Sequence, residues 1–215
     1  MSESKEFRIM KHVPHKTISR SLLYIRTLER LIQAGQECVS SKQLADIIGL
    51  TDVQIRKDIS NFGKAGRPRI GYRTQELKKI LEEFVTQHAA HVALFGAGNL
   101  GSAILKYPGF QQKKIRIVAA FDADRRKIGS IVNGIKVYDI AEAKRVIAQK
   151  HAEIGIIAVP EDAAQPVADI MVAAGLKGII NFSPVSISVP RTVAVRNIDL
   201  AIEFQALFWE ISRAR

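Results

Sequence analysis

Three glycines with the spacing Gly-x-Gly-x-x-Gly lie at Gly96, Gly98 and Gly101, in the stretch HVALFGAGNLGSAI of residues 91–104. The spacing alone is a weak signal, but here it follows an apolar run and precedes a helical pattern, as in dinucleotide-binding turns. Such a turn brings backbone amides and a helix N-terminus close to a pyrophosphate. We therefore predict a nucleotide site formed by Gly96, Ala97, Gly98, Asn99, Leu100 and Gly101.

An acidic residue, Asp122, ends the next apolar run, 21 residues after Gly101. In dinucleotide-binding folds an acidic residue here accepts from the adenosine ribose hydroxyls and repels a 2′-phosphate. NAD(H) is therefore favoured over NADP(H), although Arg125 and Arg126 oppose that preference, and Asp122 read only as a turn residue is the alternative. Pro160 and Phe182 follow later apolar runs, where strand ends would place them beside a nicotinamide ring.

Groups that could catalyse hydride transfer are missing from the predicted strand ends. The sequence has no His–Asp pair, Cys–His pair or metal-ligand cluster there. Hydride chemistry on a substrate needs a general acid or base, and only about 30 residues remain after Phe182 to form a substrate domain. We therefore predict no catalytic residues and no metal site, with a small NAD-dependent dehydrogenase as an alternative.

The residues that precede the glycine turn have the pattern of a DNA-binding domain. Ser40 to Gln43 and Thr51 to Gln54 each fit a capping box, and Gly49 separates the two short helices that these boxes begin. Two helices joined in this way are typical of a helix-turn-helix. In the second helix Ile55, Ile59 and Phe62 form one stripe, which we expect to face the core.

The opposite face of the second helix carries polar and basic side chains that suit the major groove. A basic, glycine-rich segment follows, typical of the wing of a winged-helix domain, in which Arg67 or Arg69 would contact phosphates or a minor groove. Helix pairs of this kind also occur in bundles, where exposed Arg and Lys are only solvated. The DNA-contacting candidates from these elements are Ser40, Thr51, Gln54, Arg56, Lys57, Ser60, Arg67 and Arg69.

Charge and composition agree with a nucleic-acid partner. The net charge is +11, and residues 1–73 carry 14 Lys and Arg against 7 Asp and Glu. Basic surfaces of this kind usually bind nucleic acid or anionic membranes. The single cysteine, Cys38, excludes an internal disulfide and suits a reducing compartment. With no signal peptide and no apolar run of membrane-spanning length, we expect a soluble, cytoplasmic protein.

The last segment predicts a helix that begins at Asn197 or Asp199 and is apolar on more than one face. Leu200 and Phe204 lie on one stripe, whereas Trp209 points almost the opposite way. A helix with two apolar faces needs two surfaces to pack against. It is therefore either buried in its own domain or packed against a second subunit.

The predicted fold class is α/β, with an N-terminal winged-helix DNA-binding domain, a Rossmann-type parallel-sheet domain and a C-terminal helix. Alternation of apolar strand patterns with helical patterns after the glycine turn predicts the parallel sheet. The expected boundaries are 1–88 for the winged-helix domain with its linker helix, 89–196 for the NAD(H)-binding Rossmann domain and 197–215 for the dimerisation helix.

The order of these segments resembles the Rex family of redox-sensing transcriptional repressors along essentially the whole chain. The motifs that carry the resemblance are ISRSLLYIRTLERL, LTDVQIRKDISNFG, FGAGNLGSAILKYPGF, AFDADRRKIG and INFSPV. The resemblance implies a homodimer that binds a palindromic operator when NAD⁺ is high and releases it when NADH binds. It also implies that the C-terminal helix is domain-swapped.

The same resemblance implies roles for individual residues. Arg20, Arg56 and Lys57 would contact DNA, while Arg26, Tyr107 and Asp199 would form a polar network that changes with the redox state of the nicotinamide. The wing departs from the common form of the family, since it reads Ala-Gly-Arg-Pro at residues 65–68. A DNA-binding regulator that senses coenzyme A or another nucleotide is the alternative function.

Overall fold

The computed structural model of the chain describes residues 13–63, 65–67, 70–85, 89–112 and 114–213. The contacts divide the chain into two compact units, Met1–Gln87 and His88–Arg215. Within the described ranges no helix is both long and apolar enough to cross a membrane.

Among its described residues the first unit contains the helices α1 (His15–Gln33), α2 (Ser41–Ile48), α3 (Asp52–Ser60) and α4 (Thr74–Val85) and the short strands β1 (Cys38–Val39) and β2 (Tyr72–Arg73). The two strands pair in antiparallel register, Cys38 with Arg73 and Val39 with Tyr72. Between α3 and β2 the chain forms a hairpin, in which Arg67 and Gly71 exchange backbone hydrogen bonds of 2.8 and 3.0 Å. The unit is therefore a winged helix.

Local signals at the start of α2 and α3 explain where these helices begin. The capping box predicted at Ser40 is complete, since the Ser40 hydroxyl accepts from the Gln43 amide and the Gln43 side chain accepts from the Ser40 amide. Gly49 ends α2 with a φ of +76°. At Thr51 only half of the predicted box forms, because the Gln54 side chain donates to Asp58 and does not return to Thr51. The prediction of a second complete box was therefore wrong.

The core of the first unit lies between α1, α2, α3 and α4. The stripe predicted on α3 faces it, since Ile55, Ile59 and Phe62 are at most 5% exposed. Apolar residues of the other elements complete the cluster, namely Tyr24, Ile25, Leu28, Val39, Leu44, Ala45, Tyr72, Leu77 and Leu81.

The second unit contains a seven-stranded sheet, with the strands β3 (Ala90–Phe95), β4 (Ile115–Asp122), β5 (Ile131–Val132), β6 (Ile135–Asp139), β7 (Ile154–Ile157), β8 (Gly178–Asn181) and β9 (Ala194–Asn197). Their order in the sheet is β5-β6-β4-β3-β7-β8-β9. All neighbouring strands are parallel except β5 and β6, which form an antiparallel hairpin at one edge. Apolar clusters lie on both faces of the sheet, and the rings of Phe95 and Phe121 stack with centroids 4.7 Å apart.

Helices lie between the strands of the second unit, and one further helix follows the last strand. They are α5 (Asn99–Leu105), α6 (Gly109–Gln112), a 3₁₀ turn (Ile140–Glu142), α7 (Ala143–Lys150), α8 (Glu161–Ala173) and α9 (Leu200–Arg213). The α/β fold class predicted from sequence is confirmed by the parallel sheet. The elements β5, β6, α7 and β9 were not predicted from the sequence.

The C-terminal helix α9 is exposed along its whole length. Asp199 caps it, since one of its carboxylate oxygens accepts from the amides of Ala201 and Ile202 at 2.8 and 3.3 Å. Phe204 and Phe208 are 72% and 73% exposed. The alternative in which this helix is buried in its own domain is therefore wrong for this structure.

Candidate functional site

The glycine turn lies at the carboxyl end of β3, directly after the fully buried Phe95. Gly96 has a φ of +95°, which L side chains rarely adopt, and a methyl group on it would overlap the carbonyl oxygen of Ala158. Gly98 has an ordinary φ of −75° and open space where a side chain would stand. The fold itself requires Gly96 but not Gly98, so the space at Gly98 fits a ligand that approaches the backbone.

Asp122 joins the end of β4 to the glycine turn. Its Oδ2 accepts from the backbone amide of Ala97 at 2.8 Å and from Nζ of Lys127 at 3.0 Å, and its Oδ1 accepts from the amide of Asp124 at 2.8 Å. Burial raises the pKa of Asp122, but these hydrogen bonds outweigh burial, so the pKa lies below its ordinary value. An ionised carboxylate beside the turn accepts ribose hydroxyls and repels a 2′-phosphate.

In the sheet β7 lies beside β3, the strand that precedes the glycine turn, and β8 lies beside β7. Pro160 follows β7 as the N-cap residue of α8 and is exposed, while Phe182 follows β8 and is half-buried. The buried hydroxyl of Ser183 donates to the carbonyl of Val159 at 2.6 Å, which ties the two strand ends together. The edge therefore offers apolar groups on a rigid base.

The polar groups of this edge are suited to binding and orientation. Asp122 is held by two backbone amides and Lys127, and Ser183 donates to a backbone carbonyl. Across the described residues there is no group of three or more His, Cys, Asp and Glu side chains that could hold a metal ion.

The exposed face of α3 carries the side chains that suit a DNA groove. Val53 is 62% exposed, and Arg56, Lys57 and Ser60 are also exposed. Nη1 of Arg56 contacts Oδ2 of Asp52 at 2.6 Å, a pair open to solvent on both sides. Such exposed pairs contribute little to stability, so the guanidinium is available to exchange this partner for a phosphate or a base edge.

Three of the remaining residues predicted to contact DNA lie at the starts of α2 and α3 and in the hairpin. Ser40 and Thr51 use their hydroxyls as helix caps, with Ser40 half-exposed and Thr51 exposed. Arg67 is exposed at the base of the hairpin, whereas Arg69 lies outside the described residues.

Two further DNA candidates, Arg20 and Gln54, converge on a buried carboxylate, that of Asp58. Arg20 donates to it through Nε and Nη2 at 2.5 and 2.7 Å, and Gln54 donates at 2.9 Å. Thr17 and Tyr24 donate to the same group at 3.1 and 2.6 Å. We call these five residues the Asp58 cluster. Arg20 and Gln54, which were predicted to contact DNA, donate hydrogen bonds to Asp58 in this structure.

The three residues implied as a redox switch occupy different places in the chain. Arg26 is exposed on α1 in the first unit. In the second unit Tyr107 is 58% exposed, with its ring edge-on to Phe110 at 5.0 Å, and it lines a groove of about 490 Å³. Asp199 caps α9. The network therefore stays a prediction for this chain.

Family comparison covers both units. A family described as putative DNA-binding protein N-terminus matches residues 12–60, and one described as CoA binding domain matches residues 87–185. The first match covers the helix-turn-helix, and the second covers most of the sheet.

Whole-chain relatives decide the assignment. The redox-sensing transcriptional repressor Rex of Carboxydothermus hydrogenoformans is 41% identical over 202 residues, which are 94% of this chain and 97% of that protein. The Rex of Lactobacillus gasseri is 40% identical and is matched over 92% of each chain. The chain belongs to the Rex family. These relatives are named transcriptional repressors, so membership of the Rex family places this chain among regulators and not among enzymes.

Solved Rex structures match the fold of this chain. A crystal structure of RSP in complex with NAD⁺ and operator DNA has a TM-score of 0.87, with 32% identity over 94% of each chain. A structure of RSP in complex with NADH has a TM-score of 0.85, with 32% identity over 94% of this chain and 96% of that one. RSP is itself described as a Rex-family repressor.

Two residues of this Rex protein, Asp58 and Lys127, were not among the predicted site residues. Asp58 stands between Ile55 and Ile59, on the stripe that faces the core. A charged residue on an apolar stripe signals a buried partner, and that signal was available in the sequence. The contact between Lys127 and Asp122 had no comparable signal, since several basic residues follow Asp122.

Proposed function

We propose that this Rex protein is an NADH-responsive transcriptional repressor that binds operator DNA and leaves it when NADH occupies the second unit. The observation that carries the proposal is the combination of two elements in one chain. The first unit is a winged helix whose recognition helix has an exposed basic face, and the second contains a glycine turn whose Ala97 amide donates to the acidic residue Asp122. The matching structures of RSP with operator DNA and with NADH support both halves.

The predicted cofactor-binding residues would each contact a different part of the dinucleotide. The turn from Gly96 to Gly101 would hold the pyrophosphate, and Asp122 would accept from the adenosine ribose. The strand ends at Pro160 and Phe182 would contact the nicotinamide ring. Asp122 favours NAD(H) over coenzyme A and NADP(H), since both of those carry a phosphate on the adenosine ribose. The alternative of a coenzyme A sensor therefore has less support.

The DNA residues would be those that the structure leaves exposed. Arg56, Lys57 and Ser60 on α3, with Arg67 on the wing, would contact the major groove and the phosphates. Arg20 and Gln54 are held in the Asp58 cluster.

We propose that two copies assemble through α9. Its exposed apolar residues lie on several sides of the helix, which fits a helix that packs between two bodies. In a two-fold dimer the two recognition helices read half-sites about 34 Å apart, or a multiple of this distance, on a palindromic operator. A modest change in the relative orientation of the subunits removes one helix from its groove.

The redox signal would act through differential affinity. NADH lacks the positive ring charge of NAD⁺. The two ligands can therefore differ in which of two dimer orientations they bind more tightly, and the more abundant ligand shifts the dimer toward the orientation that it favours. Arg26, Tyr107 and Asp199 are the proposed residues whose partners change. DNA binding and the single cysteine suit a cytoplasmic location, which we also propose.

A gel-shift titration tests this function. The purified chain should bind a palindromic duplex selected from random-sequence DNA, and micromolar NADH should release it, whereas NADPH should not. Binding that is insensitive to NADH would overturn the sensor role. Turnover of simple alcohols or hydroxy acids with NAD⁺ would instead favour a dehydrogenase.

A further inference from the structure

The carboxylate of Asp58 is the most heavily hydrogen-bonded side chain among the described residues, and it is only 1% exposed. We propose that the Asp58 cluster positions the recognition helix α3 on α1, and that Arg20 belongs to this device and does not bind DNA. The inference rests on the proposed function, because α3 must first be the helix that reads the operator.

The donors of the cluster come mainly from α1. Thr17, Arg20 and Tyr24 recur at intervals of three and four residues, so they lie on one face of that helix. Arg20 holds the carboxylate through two of its nitrogens, at 2.5 and 2.7 Å. Gln54 adds a donor from α3 itself. The two helices are therefore joined by directional contacts to a single group.

Apolar packing alone would hold α3 less specifically. Ile55 and Ile59 bury α3 against the core, but such contacts are non-directional and tolerate small rotations. A buried carboxylate with several donors tolerates little rotation, because each lost hydrogen bond leaves a buried polar group unpaired. The pKa of Asp58 lies below its ordinary value, since the donors outweigh the effect of burial.

The cluster separates positioning from reading on α3. Asp58 and Gln54 face α1, whereas Arg56, Lys57 and Ser60 remain on the exposed face. Rotation of α3 about its axis would swing these three side chains relative to a base pair. Loss of a cluster donor should therefore reduce the discrimination between operator and other DNA more than it reduces general affinity for DNA.

The cluster also links the reading helix to the exposed face of α1. Tyr24 is fully buried in the cluster, and Arg26, two residues further along the same helix, is exposed on another side. A displacement of α1 caused by a contact at Arg26 would thus be carried to α3 as a rigid movement.

The test compares Tyr24→Phe and Thr17→Val, which each remove one hydroxyl donor with little change of volume, with the wild-type full-length chain. Affinity is measured for the selected palindromic duplex and for a scrambled duplex of the same length. We expect the ratio of the two affinities to fall about tenfold, which corresponds to the loss of one well-read base pair. NADH affinity should not change. Thr27→Val, the same substitution elsewhere on α1, is the control and should keep the ratio.

The readout separates positioning from loss of fold. A variant that is partly unfolded loses affinity for both duplexes in proportion, so its ratio is unchanged, and thermal unfolding measures its folded fraction. Retention of the wild-type ratio by well-folded Tyr24→Phe and Thr17→Val would overturn the proposal. Failure of the wild-type chain to bind any palindromic duplex would overturn the proposed function together with this inference.

Arg20→Gln tests whether Arg20 contacts DNA. The logarithm of affinity for the scrambled duplex is measured against the logarithm of salt concentration, with Lys57→Ala as the comparison. Loss of one phosphate contact lowers the slope by about 1, and we expect this for Lys57→Ala only. A slope lowered equally by Arg20→Gln would show that Arg20 contacts a phosphate and would contradict its assignment to the cluster.

Discussion

Gly101 lies against Gly96, so close that a methyl group on Gly101 would overlap the carbonyl oxygen of Gly96. The first turn of α5 and the end of β3 therefore touch backbone to backbone. Gly98, between them, has open space at the same position. Two glycines of one motif thus have separable roles, one in the fold and one facing the space for a ligand.

Substitution of these glycines should separate fold from binding. Gly101→Ala should lower the thermal midpoint, because overpacking a close contact costs about 1–3 kcal/mol, and it should reduce NADH binding as well. Gly98→Ala should keep the thermal midpoint but weaken NADH binding, because its methyl group enters the space beside the turn. Differential scanning calorimetry and NADH fluorescence titration measure the two effects. A Gly98→Ala variant with wild-type NADH affinity would contradict the placement of the pyrophosphate.

Asp122 should control the choice of coenzyme. Asp122→Ala removes the acceptor of the ribose hydroxyls and leaves the Lys127 ammonium without this partner, so we expect NADH affinity to fall about tenfold, as for loss of a charged hydrogen bond. Affinity for NADPH should rise relative to NADH, and fluorescence titration of both coenzymes measures this. Asp124→Ala, which removes a carboxylate that pairs with Arg126, is the control. An unchanged preference in Asp122→Ala would argue against a ribose at this carboxylate.

Arg56 should be required for operator binding. Arg56→Ala removes an exposed cation from the reading face of α3, and we expect a loss of about 1–3 kcal/mol in operator affinity. The thermal midpoint and the NADH affinity should stay near wild type, since the contact with Asp52 is exposed. Fluorescence anisotropy with the palindromic duplex gives the affinity. Loss of NADH binding in the same variant would indicate misfolding and remove the support for a direct DNA contact.

The apolar surface of α9 should control assembly. Phe204→Asp places a charge on a surface that we expect to be buried in the dimer, so the variant should sediment as a monomer at concentrations where the wild-type chain is dimeric. Operator affinity should fall, because a single half-site contact remains. Glu203→Gln, an adjacent change on the same helix, serves as the control in sedimentation velocity. A dimeric Phe204→Asp variant would place the interface elsewhere.

The stability of the first unit should depend on pH through Asp58. Burial raises its pKa, but the donors from Arg20, Tyr24, Gln54 and Thr17 outweigh burial and lower it. A lowered folded-state pKa stabilises the fold above the unfolded-state pKa of about 4, and this stabilisation is lost as the pH falls through the folded-state value.

Asp58→Asn isolates this contribution. At neutral pH the variant should unfold at a lower temperature than wild type, and the difference should shrink as the pH is lowered below about 4. Thermal unfolding followed by circular dichroism at a series of pH values measures it. Asp46→Asn, the same substitution at an exposed position on α2, is the matched control. A difference that is constant with pH would contradict the assigned ionisation.

Local signals explain which parts of the structure were predictable. Ser40 and Gln43 lie three residues apart, and the cap that they form depends on little else. The glycine turn was also predictable, because the apolar run of the strand before it and the helical pattern after it are adjacent to it in the sequence. These signals were sufficient to predict the two domain types and the expected coenzyme.

Contacts between distant residues explain what the sequence analysis missed. Tyr24 and Asp58 are 34 residues apart, and their pairing requires that α1 and α3 already be placed. The parallel pairing of β9 with β8 likewise depends on a long intervening loop. An arginine at position 20 is equally compatible with a phosphate partner and with Asp58. The sequence alone therefore could not distinguish these two partners.

The exposure of α9 has a consequence for the life of the chain in the cell. A newly made chain would carry a long apolar helix in the open until it meets a second copy, and such segments are sites of aggregation and proteolysis. If α9 is the dimer contact, pairing removes this surface and makes the resistance to unfolding rise with concentration. Degradation of unpaired chains would then set a lower limit on the abundance at which the protein accumulates.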